Sequence, residues 1–550
     1  MKSDSSIAMS HLVWKIASGF LLLTLLVSCT ALVPYRTHEN AAVDCTPNDI
    51  GEHNPQADSF GTVAPACDDL VEEHSVASPR RGRGYELHFV EFDDQGQLFP
   101  GIAENGLASA QMERFLSRVR EKPQNIEDGD GSTSVVVFVH GWKHNAQSTD
   151  SNVRWFRAML DRISVVESKS SCPRRIIGLY VGWRGDATPL PDLVKDVTFW
   201  TRKKAATHVA DGQVRELLGR LRAIQDIRNE SWNRIVEANR QHPDAMALTQ
   251  RDLACAKTMR LTIVGHSFGG LIVYNALGPS LIRDIADLDE RIRAASTATV
   301  DPVLSREGDL IVTINPAVEA ASFVPLWLAA QAASPRSYHA PVFVSITSAN
   351  DDATGMAFPA ARFFNTLLNK YPKGAGTTER DAALETIGHD QDYVDYRLEM
   401  LSALNKEKPS PGIAADPICE SLRGASDFST RFDAELERLR QFGSAVQRTP
   451  DANQLSAFIP RQFCIHAKGA GDDVALALDA NAGVNLNSPI WNVYTAKPIL
   501  DSHSDLLNPF LIDFLRQLYE EGTKPETNRL STAPSSILGP AGYPVEIAHQ

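Results

Sequence analysis

The chain has 550 residues, with 54 basic against 68 acidic side chains and a formal charge of −14. That balance argues against nucleic acid as a main partner, because phosphate binding needs a basic face. With 43% hydrophobic and 22% charged residues the composition is close to the globular average, and the chain is long enough to bury a large core without metal or disulfide staples. The seven cysteines include no CxxC pair, which excludes zinc ribbons and thioredoxin-type redox centres.

Residues 1–28 read as a cleaved address. A polar start carrying Lys2 and Lys15 leads into an uncharged, mostly apolar run from Ile16 to Ser28. This run is shorter than the roughly 20 residues that a membrane-spanning helix needs. The ending Leu26-Val27-Ser28-Cys29 resembles a bacterial lipobox, whose cysteine is lipidated and becomes the mature N-terminus. Thr30 follows it, which in the Gram-negative sorting pattern points to the outer membrane. The expectation is an exported, membrane-anchored lipoprotein, held through Cys29 in the outer membrane or facing the periplasm. The six other cysteines could then pair, with Cys45–Cys67, Cys419–Cys464 and Cys172–Cys255 favoured on sequence proximity.

Residues 29–84, rich in Asn, Pro, Asp and Gly, are expected to form a mostly irregular tether. Order begins at Tyr85–Phe92, an alternating strand running into the turn signal Asp93-Asp94-Gln95-Gly96. Five continuous apolar runs then follow at 134–139, 175–181, 261–264, 310–314 and 342–346, and a sixth lies at 490–494. Strands apolar on both faces belong in a parallel sheet covered by helices. Helical patterns at 152–164, 213–239, 270–277 and 509–519 complete an α/β alternation, which puts ligands outside the carboxyl ends of the strands. Residues 85–371 form the first part of this core and 489–521 its last strand, histidine loop and helix. Residues 372–488 interrupt the rhythm and read as an insertion able to act as a lid. The Pro- and Ser-rich tail 522–550 is expected to be disordered.

The chemistry centres on Gly265-His266-Ser267-Phe268-Gly269, which matches G-x-S-x-G between an apolar strand and a helical pattern. In that setting Ser267 sits on a strained turn as nucleophile, and the small residues at 265 and 269 avoid clashes. A serine hydroxyl needs a base, and the base an orienting carboxylate. His503, after the last strand, is the expected base. Asp351, after the strand ending at Ile346, is the expected acid, with Asp352 and Glu319 as alternatives. The oxyanion donors are expected to be the backbone N–H groups of Phe268 and Trp142, the latter in the loop His140-Gly141-Trp142. His140 and His144 are read against a metal pair, because no third ligand is evident. Asp479–Asn485 is read as a turn rather than a calcium loop, since it lacks the terminal glutamate. No phosphate-binding glycine loop with Lys-Ser/Thr occurs, so nucleotide use is not expected; no cofactor is expected.

Together, His140-Gly141-Trp142, Gly265–Gly269, Asp351 and His503 resemble the α/β-hydrolase superfamily. The resemblance covers residues 85–371 and 489–521. Within the superfamily the strings at 180–185, 199–203 and 315–319 look like a poorly characterised group of microbial esterase-like proteins. The resemblance implies an α/β-hydrolase fold with a large insertion before the last strand, and Trp183 and Arg184 near a pocket rim. The insertion makes the acid-to-histidine separation longer than is usual for the family. The expected activity is cleavage of small-molecule or lipid carboxylic esters through an acyl-enzyme. The alternatives are acyl transfer by the same triad and a non-catalytic binding or scaffold role on the same fold.

Overall fold

The computed structural model describes residues 34–36, 43–44, 70–74, 84–99, 110–121, 132–168, 170, 173–185, 199–230, 234, 258–294, 309–332, 341–366, 378–400, 461–465, 474–481, 484–485 and 488–523. The strands are β1 Val43–Asp44, β2 Val71–His74, β3 Tyr85–Glu91, β4 Thr133–Val139, β5 Arg175–Gly182, β6 Met259–His266, β7 Leu310–Ile314, β8 Phe343–Ser348, β9 Tyr396–Met400, β10 Arg461–Ile465, β11 Val474–Ala480 and β12 Ile490–Thr495. They form one sheet in the order β1-β2-β3-β5-β4-β6-β7-β8-β12-β9-β11-β10. Every pairing from β3 across to β9 is parallel, while β2–β3, β9–β11 and β10–β11 are antiparallel.

Helices cover both faces, because the central strands are apolar on both sides. Val135, Val137 and Val139 of β4 face one core. This core is shared with α1 Ala110–Arg120, α3 Phe199–Asp211, α4 Gln213–Arg228, α5 Phe268–Ala294 and α6 Ala320–Ala332. Val136 and Phe138 face the other core, against α2 Ser151–Ser168 and α9 Pro509–Thr523. The remaining helices are α7 Phe358–Thr366 and α8 Thr378–Leu384. The protein is thus an α/β structure with a mostly parallel sheet flanked by helices. Among the described residues no helix is long and apolar enough to cross a membrane.

The structure departs from the sequence expectations in three places. First, part of the supposed tether is built into the sheet. Val71–His74 pairs with β3, and buried Glu72 receives hydrogen bonds from Arg36 (2.9 Å) and Arg157 (2.6 and 2.9 Å). These ion pairs, not an apolar pattern, hold the strand, so composition alone missed it. Arg36 also donates from Nε to the Ala146 carbonyl (2.6 Å), and the Tyr35 and Arg36 N–H groups donate to Glu91 (2.9 Å each). Second, the 372–488 segment supplies β9, β10 and β11, which extend the central sheet beyond β12. Third, the helical pattern expected over 213–239 is broken within it, since α4 ends at Arg228. Asn229 caps it and bonds Met259 through both side-chain atoms (2.7 and 2.9 Å), which ties the helix end to the start of β6. The address at 1–28, Cys29, the helical pattern at 432–442 and the tail beyond Thr523 lie outside the described residues, as do Cys45, Cys67, Cys172, Cys255 and Cys419.

Candidate active site

The carboxyl ends of β6, β7, β8 and β12 lie side by side, and the expected catalytic residues follow three of them. Ser267 comes directly after β6 and opens into α5 with φ +55°, a left-handed backbone conformation that strains a side-chain-bearing residue. The turn is held by its main chain. The Ser267 N–H donates to the Ile314 carbonyl (3.0 Å), and the Ser267 carbonyl accepts from Leu271 (3.1 Å) and Ala317 (3.2 Å). Only glycine fits at 269, where a Cβ would lie 2.0 Å from the Val139 carbonyl oxygen.

His503 bridges the other two residues. Its Nε2 lies 2.7 Å from Ser267 Oγ. Its Nδ1 donates to Asp351, with 2.9 Å to Oδ1 and 2.8 Å to Oδ2. That tautomer leaves Nε2 unprotonated and able to accept the serine proton. Asp351 is buried. Burial by itself pushes its carboxyl upward, but hydrogen bonding and charge from His503 and hydrogen bonds from Thr354 outweigh this and hold it below the usual value. The Ala353 and Thr354 N–H groups (3.0 and 3.1 Å) and the Thr354 hydroxyl complete its donors.

The two alternative acids lie elsewhere. Asp352 is exposed and precedes a π-helical turn, Ala353–Ala357. Glu319 pairs with Lys203 and, at 3.4 Å, with Arg362. The loop after β4 lies against Ser267, since a Cβ on Gly141 would come within 2.9 Å of Ser267 Cβ. The Trp142 ring packs beside Phe268 (6.0 Å between centroids) and Phe199 (5.5 Å). Phe268 is the first residue of α5, so its N–H belongs to the first-turn donors that have no intrahelical acceptor.

His140 is a packing residue. Its Nε2 accepts from the Trp183 N–H (3.0 Å) and its Nδ1 donates to the Gly141 carbonyl (2.8 Å). Burial lowers its pKa to about 4, which keeps this neutral form. Trp183, expected near a rim, is buried and stacks on His140. His144 lies near Asp150 (3.1 Å) and Asn152 (3.2 Å), and among the described residues no cluster of three or more His, Cys, Asp or Glu could hold a metal ion.

Two neighbours that sequence reasoning passed over restrain the His503 loop. His266 Nε2 donates to the His503 carbonyl (2.8 Å). Burial first, and then the nearby His503 and His144, push the His266 pKa well below its ordinary value. Asn315, at φ +45°, donates to the carbonyls of Ser502 (3.2 Å) and His503 (3.0 Å) and accepts from Ser348 N–H (2.8 Å). The available signals were the variable position of G-x-S-x-G and an Asn-Pro pair closing a strand, since Asn tolerates left-handed backbone. No protein-family model, curated protein or solved structure matches the chain.

Proposed function

We propose that the protein is a serine hydrolase of the α/β-hydrolase type that cleaves carboxylic esters. The observation that carries this reading is the continuous hydrogen-bonded series Ser267 Oγ, His503 and Asp351, built on a positive-φ turn between strand and helix. In this reading, His503 Nε2 takes the Ser267 proton as Oγ attacks the acyl carbon. The N–H groups of Phe268 and Trp142 receive the charge that develops on the carbonyl oxygen. The protonated imidazole, oriented by ionised Asp351, then returns its proton to the leaving alcohol. Water attacks the acyl-enzyme with the same base and releases the acid, so no cofactor enters the cycle.

The N-terminal pattern ending in Cys29 supports export and attachment to a membrane through a lipid. Cys29→Ser should then abolish fatty-acid incorporation and release the protein from the membrane fraction. For the chemistry, Ser267→Ala should abolish both hydrolysis of short p-nitrophenyl esters and labelling by a fluorophosphonate probe. Undiminished labelling of that variant would remove Ser267 from the mechanism.

A further inference from the structure

We propose that His389, acting through Thr354, is a positioning residue for Asp351, which makes the 372–488 segment part of the catalytic apparatus; the proposal rests on the serine hydrolase reading. Thr354 Oγ1 touches two groups. One is Asp351 Oδ2, which also accepts from His503 Nδ1. The other is His389 Nε2, at 3.1 Å. A hydroxyl has one proton to give. Ionised Asp351 is an acceptor only, so the Thr354 proton must go to Oδ2. Thr354 Oγ1 must then accept from His389, which requires the His389 proton on Nε2. The donor–acceptor balance thus fixes the tautomer of a histidine that never touches Ser267 or His503 by hydrogen bond.

Local structure seats this pair. Gly355 N–H donates to the Asp351 carbonyl (2.8 Å) where the chain enters the π-helical turn, while the buried Thr354 side chain folds back onto the Asp351 carboxylate. Such turns are rare and concentrate at functional sites. The His389 ring lies directly over residue 355, where a Cβ would come within 2.8 Å of its Cε1. Its edge meets Tyr494 of β12 (6.4 Å between centroids, 84° between planes). The His389 N–H donates to the Thr386 carbonyl (3.0 Å), so the main chain is held as well. With the Thr354 hydroxyl locked between His389 and Asp351, the carboxylate keeps both its charge and its orientation toward His503.

The test separates hydrogen-bond donation from space-filling. His389→Gln can still donate a proton to Thr354, whereas His389→Phe fills the volume without one. The expected result with a short p-nitrophenyl ester is that Phe lowers kcat about tenfold with KM unchanged, while Gln stays within about threefold of the wild type. Equal activity of His389→Phe and the wild type would overturn the proposal. Ring nitrogen chemical shifts of His389 in the full chain at neutral pH, read by NMR, give an answer that needs neither a variant nor a substrate. A proton on Nε2 supports the proposal, and a proton confined to Nδ1 overturns it. If the wild type hydrolyses no ester and takes no fluorophosphonate, the hydrolase reading fails, and the tautomer still decides the local geometry.

Discussion

Replacing Asp351 with asparagine tests the assignment of the acid most directly. Four donors converge on this carboxylate: His503 Nδ1, the Ala353 and Thr354 N–H groups and the Thr354 hydroxyl. An amide has only one oxygen to offer them. The two backbone N–H groups both point at Oδ1 and cannot reverse, so the amide oxygen must take that position. The amide NH2 then occupies the Oδ2 position, 2.8 Å from His503 Nδ1, and donates there. The amide oxygen, 2.9 Å from His503 Nδ1, competes with that NH2 for the ring nitrogen; where the NH2 wins, His503 carries its proton on Nε2, facing Ser267, and can no longer accept the serine proton. Loss of the correct tautomer in a triad lowers kcat about 10⁴-fold, or about 5 kcal/mol of barrier. Asp352→Asn changes an exposed side chain with no such contact, and its kcat should stay within about twofold of the wild type. Steady-state kinetics on a short p-nitrophenyl ester, with circular dichroism to confirm folding, make the comparison. An Asp351→Asn enzyme within tenfold of the wild type, beside a disabled Asp352→Asn enzyme, would refute the reasoning and move the acid by one residue.

Gly269→Ala should destabilise the fold by about 3 kcal/mol, because the new Cβ would meet the Val139 and His140 carbonyl oxygens at 2.0 and 2.6 Å, both backbone atoms; an unchanged urea midpoint would contradict this. Acid should weaken the fold through His140, whose pKa is lowered by burial to about 4 in the folded chain, against about 6.5 unfolded. Between those values the unfolded chain binds the extra proton, so this contribution is complete above about pH 6.5 and is lost as the pH falls toward 4, by about 3 kcal/mol. His140→Gln, less stable at neutral pH, should show a flatter loss in urea titrations at pH 7 and pH 4.5, and an equal slope would exclude His140 as the cause.

The parts legible in the sequence share a physical origin. The runs at 134–139, 175–181, 261–264, 310–314, 342–346 and 490–494 are strands within two residues at either end, because strands buried on both faces are written as unbroken apolar runs. β2 was not legible. Its Val71-Glu72-Glu73-His74 holds two glutamates, and what keeps it in place is Arg36 and Arg157, 36 and 85 residues from Glu72. β9 and β11 were hidden because the residues around them lack the strand–helix rhythm, and they join the sheet antiparallel to each other. At the site, a local motif led to Ser267, and chain order after the strands to His503 and to the Asp351-Asp352 pair. Choosing within that pair required the direction of two adjacent side chains. Thr354, His389, Asn315 and His266 carry no motif, since their roles consist of hydrogen bonds made across the chain.

The His503 loop is restrained through its main chain from three strand ends, and this has a measurable consequence. His266 ends β6, Asn315 follows β7 and Ser348 ends β8, and each donates to a carbonyl of residues 500–503. Because the ties hold the backbone, the imidazole is left to Ser267 and Asp351, with its side chain 23% exposed. Preorganisation of this kind reduces the rearrangement needed as charge develops. The Asn315 and Ser348 ties are not independent, since Ser348 N–H also donates to Asn315 Oδ1 (2.8 Å) and Ser348 Oγ donates to the Leu500 carbonyl (2.8 Å) of the same loop. Removing either by Asn315→Ala or Ser348→Ala should lower kcat, about 10²-fold for Asn315, which makes two of the ties. Once one is gone the loop has already moved, so the second removal should cost less than it does alone. A double-mutant cycle should show a coupling of about 1 kcal/mol in that direction. Additivity within about 0.3 kcal/mol would mean that the two residues restrain the loop independently, and would refute the coupling.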